Sequence, residues 1–122
     1  MAALATGVDL VEIDRLREVV ERYGDRFLQR IFTVQELEEA GENFATLAGR
    51  FAAKEAVSKA LGTGIGVVSW QEIEVVRGSQ RQPVLRLYGA AAVLADQREL
   101  NQWSISLSHS GEYAIALVVA MG

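Results

Sequence analysis

Glu55 and Lys59 stand four residues apart in FAAKEAVSKAL, so on a helix they project from one face, a carboxylate beside an ammonium. A carboxylate can hold a divalent cation, and an ammonium next to it can offer charge to a phosphoryl transition state. The same spacing is a common surface decoration contributing about 0.2–0.5 kcal/mol. Ala48 and Ala52 flank the same stripe and are expected to leave room for a bulky object to approach. Asp9 is the second carboxylate, set between Val8 and Leu10 in a strand context where aspartate is disfavoured and costly to desolvate without a partner. It suits an exposed strand end or a partnership with Glu55. If the two converge, a pair of carboxylates with open positions between them makes a site for Mg²⁺, which takes one or two protein carboxylates with water and substrate phosphates.

His109 is the only histidine. By counting it falls on the Trp103, Ile105 and Leu107 side of its strand, which predicts a half-buried side chain. Its place in SLSHSGEY, at a strand end before a turn, equally suits ligand contact. Arg50 lies about 140° around the helix from Glu55 at 3.6 residues per turn, so the two do not easily serve one pocket in one subunit. It is either a surface charge or part of a site built between subunits, with one copy supplying the carboxylates and its neighbour Arg50. Arg15, Arg22 and Arg26, with Arg17 near them, form a basic region that reads as a solvated helix face or as a dock for an acidic protein steered by charge.

The elements that must position these residues follow from pattern. Leu4 to Val11 reads as a short strand, and Leu16, Val20 and Tyr23 recur at helical spacing from Ile13 onward, with Gly24 where a C-cap prefers it. Thr33 and Glu36 have capping-box spacing, predicting a helix from Val34 to Ala40 stopped by Gly41. The longest helix is expected from about Phe44 to Leu61, broken by Gly62, Gly64 and Gly66. Ile73 and Val75, then Val84 to Tyr88 beyond GSQRQP, suggest two antiparallel strands. A helix from Ala90 to Glu99 comes next. Trp103, Ile105 and Leu107 alternate with serines, and Tyr113 to Ala120 follows the Gly111 turn as a closing hairpin. The class is α+β with a largely antiparallel sheet.

With 122 residues, residues 1–122 are expected to form a single domain. Half the residues are hydrophobic and Pro83 is the only proline, a globular rather than disordered profile. The absence of cysteine excludes disulfides and thiolate metal sites and favours a reducing compartment. MAALATGVDLVEIDRL lacks a cationic leader, and no apolar run approaches membrane-spanning length, so a cytoplasmic, soluble protein is expected, with no membrane partner. A net charge of −4 gives no field to collect nucleic acid, so an anionic ligand must meet a local cationic patch.

GVDLVEIDRL at 7–16, RIFTVQELEEA at 30–40, LAGRFAAKEAVSKALGTGIG at 47–66, WQEIEVV at 70–76 and SISLSHSGEYAIALVVA at 104–120 resemble the holo-acyl-carrier-protein synthases in order and spacing. These are the small, single-domain 4′-phosphopantetheinyl transferases. The resemblance implies transfer of the 4′-phosphopantetheine arm of coenzyme A to a serine of apo acyl carrier protein, releasing adenosine 3′,5′-bisphosphate and supporting fatty acid biosynthesis. It implies Mg²⁺ held by Asp9 and Glu55, catalysis by these two with Lys59, and coenzyme A contacts from Lys59, His109, Arg50 and Gly64. It further implies carrier-protein docking on Arg15, Arg22 and Arg26, and a homotrimer with sites at subunit contacts. One departure is that no Lys or Arg lies between Arg30 and Arg50, a stretch where several relatives carry basic residues that contact the 3′-phosphate. A coenzyme A or nucleotide-binding module without chemistry is the competing expectation.

Overall fold

Small residues decide how the molecule closes. On β1 (Leu4–Glu12) the side chains alternate, and Ala5, Gly7, Asp9 and Val11 face inward. On β5 (Tyr113–Met121) the inward set is Ala114, Ala116, Val118 and Ala120. The two strands pair antiparallel with Asp9 opposite Ala116, and β4 (Gln102–His109) pairs along the other edge of β5, giving the sheet order β1-β5-β4. Against this face lies the long helix α4 (Phe44–Ala60), which buries Ala48, Ala52, Ala53, Ala56 and Ala60. A Cβ at Gly7 would overlap the Ala56 carbonyl oxygen, so glycine there sets how near β1 comes to α4. The structure, a computed structural model, describes residues 3–122.

Between β1 and α4 the chain forms α1 (Ile13–Tyr23), α2 (Asp25–Ile31) and α3 (Val34–Ala40). Gly24 ends α1 at φ 63° and donates its amide to Val20, as its sequence position predicts. The helix α2 was absent from the sequence reading. Its Phe27, Leu28 and Ile31 pack with Leu16, Phe32, Leu47 and Ala48 in a second core cluster. The box at Thr33 and Glu36 is present. After α4, a 3₁₀ turn (Trp70–Glu72) leads into the antiparallel hairpin of β2 (Ile73–Arg77) and β3 (Pro83–Leu87), followed by α5 (Gly89–Gln97). The principal core joins α4, β2, α5 and the sheet through Val57, Leu61, Val68, Ile73, Val75 and Val118, all fully buried. Each such aliphatic side chain contributes about 1.5–3 kcal/mol relative to exposure.

A buried ion pair ties these layers together. Lys54 and Glu36 are both fully buried, with Nζ 2.8 Å from Oε1. Lys54 Nζ also donates to the carbonyls of Trp70 at 2.9 Å and Ile73 at 2.6 Å, so all three ammonium protons have acceptors. Desolvation pulls Lys54 below the ordinary lysine value, and the Glu36 charge opposes the shift. The Glu36 carboxylate also accepts from the amides of Thr33 at 2.9 Å and Val75 at 2.8 Å.

Candidate active site

The inward parity of β1 carries Asp9 to the α4 side of the sheet, and the helical repeat carries Glu55 and Lys59 to the same edge. Lys59 Nζ lies 3.0 Å from Asp9 Oδ1 and 3.1 Å from the Val8 carbonyl oxygen. Its side chain is half exposed, whereas that of Asp9 is 19% exposed, so the ammonium keeps a face toward solvent. Burial raises Glu55 above its ordinary value, the Asp9 charge raises it further, and Lys59 opposes them. Asp9 and Glu55 therefore lie near enough for their charges to interact, at a partly desolvated edge.

These residues suit a hard divalent cation. Both acids offer oxygen, and the mutual repulsion that pushes Glu55 upward is what a 2+ ion would relieve. Among the described residues no group of three His, Cys, Asp or Glu side chains could enclose a metal. Mg²⁺ fits that arrangement because it takes part of its coordination from water and phosphate.

The small residues beside the site act differently from expectation. Ala48 and Ala52 are fully buried, so their size admits the sheet and the second core rather than a ligand. Open space lies instead in a cleft beside Asp9, lined by Leu16, Val19, Phe27 and Phe51, with Arg15 and Glu12. Arg22 and Arg26 are exposed on α1 and α2, and Arg22 stacks over Tyr23 at 5.5 Å. Arg17 pairs with Asp14 at 3.9 Å.

Gly64 sits in the turn after α4 at φ 69°, with no atom within 4 Å of where a Cβ would be. Its amide donates to Ser58 at 3.1 Å.

His109 and Arg50 form a separate group. His109 is exposed, not half-buried, because it is the last residue of β4 and borders the turn that follows. With Arg50 it lines a pocket together with Arg77, Arg81, Thr46 and Ser108. Arg50 is 5% exposed and lies 3.5 Å from Glu39, which excludes the reading as a surface charge. The angular argument about Arg50 and Glu55 holds: the arginine faces α3 and the glutamate faces the edge of β1. Sequence reasoning missed Arg77 and Arg81, which only the docking of the β2–β3 hairpin beside β4 brings to this pocket.

The profile of the 4′-phosphopantetheinyl transferase superfamily matches residues 5–118. The holo-[acyl-carrier-protein] synthase of Herpetosiphon aurantiacus is 49% identical, over 98% of this chain and 99% of that protein. Among solved structures, the Helicobacter pylori holo-[acyl-carrier-protein] synthase in complex with coenzyme A superposes with a TM-score of 0.86 at 34% identity, covering 94% of this chain and 98% of that one. The Bacillus anthracis synthase in complex with coenzyme A (3′,5′-ADP) gives 0.80 at 36% identity, covering 98% of this chain and 99% of that one. With the fold matched along nearly its whole length, the chain belongs to the 4′-phosphopantetheinyl transferase superfamily.

Proposed function

We propose that this chain is a holo-acyl-carrier-protein synthase, moving the 4′-phosphopantetheine group of coenzyme A to a serine of apo acyl carrier protein. The observation that carries the reading is the meeting of Asp9, Glu55 and Lys59 at one partly exposed edge. Asp9 and Glu55 would hold Mg²⁺ against the pyrophosphate of the coenzyme, where the bound ion supplies charge neutralisation at phosphorus. Lys59, fixed by Asp9 and the Val8 carbonyl, has an ammonium proton left for a phosphate oxygen. The carrier serine oxygen forms the new bond to the β-phosphorus, and the bond from that phosphorus to the oxygen bridging it to the 5′-phosphate breaks, freeing adenosine 3′,5′-bisphosphate. The serine proton passes to a carboxylate or a water at the site. Gly64, in the turn after α4 where a side chain would meet nothing, would border the coenzyme.

The active unit in this reading is a homotrimer. Leu4, Val8 and Leu10, exposed by 74%, 52% and 58%, share the outer sheet face with Ile115 and Leu117, exposed by 40% and 47%, and a continuous apolar face of that kind suits association between copies. The neighbour would bring the pocket of Arg50 and His109 to Asp9, Glu55 and Lys59. Arg15 borders the cleft beside Asp9, which supports docking of the acidic carrier on Arg15, Arg22 and Arg26.

The purified chain with apo carrier protein, coenzyme A and Mg²⁺, followed by intact mass, tests the function. The parent is expected to add one phosphopantetheine. Glu55→Ala is expected to add none while light scattering shows the same trimer. Transfer by that variant at the parental rate would remove the catalytic assignment, and coenzyme binding without any mass gain by the parent would favour a binding module. In the same assay Arg15→Glu should raise the KM for carrier protein well above its effect on coenzyme A. Equal effects on both would count against docking.

A further inference from the structure

Resting on that reading, we propose that Arg98 is a positioning residue for coenzyme A. From the end of α5 it holds the turn that follows α4, and through that turn it fixes the backbone from which Lys59 reaches the reactive edge.

Lys59 stands in the last turn of α4, and its ammonium is held by Asp9 and the Val8 carbonyl. Where its side chain starts depends on how the helix ends. The amide of Gly62 donates to the Lys59 carbonyl oxygen at 2.9 Å, and those of Thr63 and Gly64 donate to the Ser58 carbonyl oxygen at 3.2 and 3.1 Å. The chain after α4 thus folds back onto Ser58 and Lys59, so movement of the turn is passed directly to the lysine backbone. The segment GTGIG at 62–66 carries little side chain with which to pack, and glycine backbone is the most costly in entropy to hold in one conformation. Its order has to come from a neighbouring element.

Arg98 supplies that contact. Its Nη1 donates to the Leu61 carbonyl oxygen, the last carbonyl before the glycines. Leu61 is fully buried and shares a core cluster with Ala91 and Ala95 of α5, so α5 grips the end of α4 by packing on one side and by the guanidinium on the other. Gly62 is fitted to the same contact: it holds φ 84°, and a Cβ there would collide with Arg98 Nη1. The cation also lies at the carboxyl end of α4, where the helix dipole favours positive charge. Without Arg98 the Leu61 carbonyl loses its donor, and the turn is left to its own short-range hydrogen bonds. The residues nearest to that loss are Lys59, which faces a phosphate oxygen in the proposed reaction, and Gly64, which would border the coenzyme. Arg15, Arg22 and Arg26 stand on α1 and α2, so carrier docking lies outside its reach.

Three measurements on the assembled protein test the role: amide hydrogen exchange of residues 62–66, calorimetric binding of coenzyme A, and the KM for each substrate in transfer. In Arg98→Gln the turn amides should exchange about tenfold faster than in the parent, and coenzyme A should bind about tenfold more weakly. The KM for carrier protein should stay parental. Arg98→Lys keeps a cationic donor and should recover most of the affinity. Gly62→Ala leaves the arginine in place but displaces it from Leu61, and should show the same loss for coenzyme A. Unchanged exchange in Arg98→Gln, faster exchange with parental coenzyme affinity, or an equal rise in KM for both substrates would each overturn the proposal. A parent that binds coenzyme A but adds no mass to carrier protein would strike the transfer reading, and the exchange and binding results would still decide the role of Arg98.

Discussion

Helix α4 carries two charged faces, and they behave as opposites. On one, Lys54 points toward α3 and meets Glu36. On the other, Glu55 and Lys59 point to the edge of β1 and meet Asp9. Lys54 is fully buried and has spent its three protons, whereas Lys59 is half exposed and retains capacity. Five residues separate the two lysines, which is about 140° of helix rotation. A charge whose partners are complete maintains the fold, and one whose partners are incomplete is available to a substrate.

The sharpest way to break that contrast is to remove both lysines in turn. Lys54→Met leaves Glu36 buried and uncompensated, and should cost about 3–5 kcal/mol of stability by chemical denaturation. Its activity should fall only in proportion to the folded fraction. Lys59→Ala should unfold within about 1 kcal/mol of the parent yet lower kcat/KM for transfer by about a hundredfold. If Lys59→Ala proved the more destabilising of the two, the division of α4 into structural and reactive faces would fall.

The smallest effect is the most diagnostic. The folded protein holds a proton on Glu55 more readily than the unfolded chain does. Its contribution to stability is thus fully present below the unfolded value of about 4.5 and is lost as pH rises through the raised folded value. Near neutral pH the ionised group is a liability, so Glu55→Gln should melt a few degrees above the metal-free parent. That advantage should vanish near roughly pH 4, where the parent is protonated as well. Thermal unfolding at the two pH values checks it, and a variant less stable than the parent near neutrality would contradict the strain assigned to this edge.

What could be read in the sequence had local punctuation. Gly24, the Thr33–Glu36 box and the glycines from Gly62 onward bounded α1, α3 and α4 because caps and breakers act on their own neighbours. The helix α2 escaped because its Phe27, Leu28 and Ile31 make barely two turns directly after a stop. The pairing of β1 with β5 joins the two ends of the described chain, and nothing near either strand announces its partner. In the site, Asp9, Glu55 and Lys59 were legible by residue type and spacing. The grouping of His109 and Arg50 with Arg77 and Arg81 was not, since it depends on how a hairpin docks beside β4. Lys54 was invisible for a related reason. Lysine in an alanine-rich helix reads as solvent-facing, and only the tertiary fold supplies three acceptors for it.

The Glu36 carboxylate has a consequence for how the molecule opens. It caps α3, neutralises the middle of α4 and accepts the Val75 amide of β2, so none of the three can fray without stranding the others. The amide hydrogens of Thr33 and Val75 should therefore exchange with deuterium together, at the slow rate set by opening of the whole molecule. The reactive edge of α4 inherits that rigidity from an anchor on the far side of the same helix.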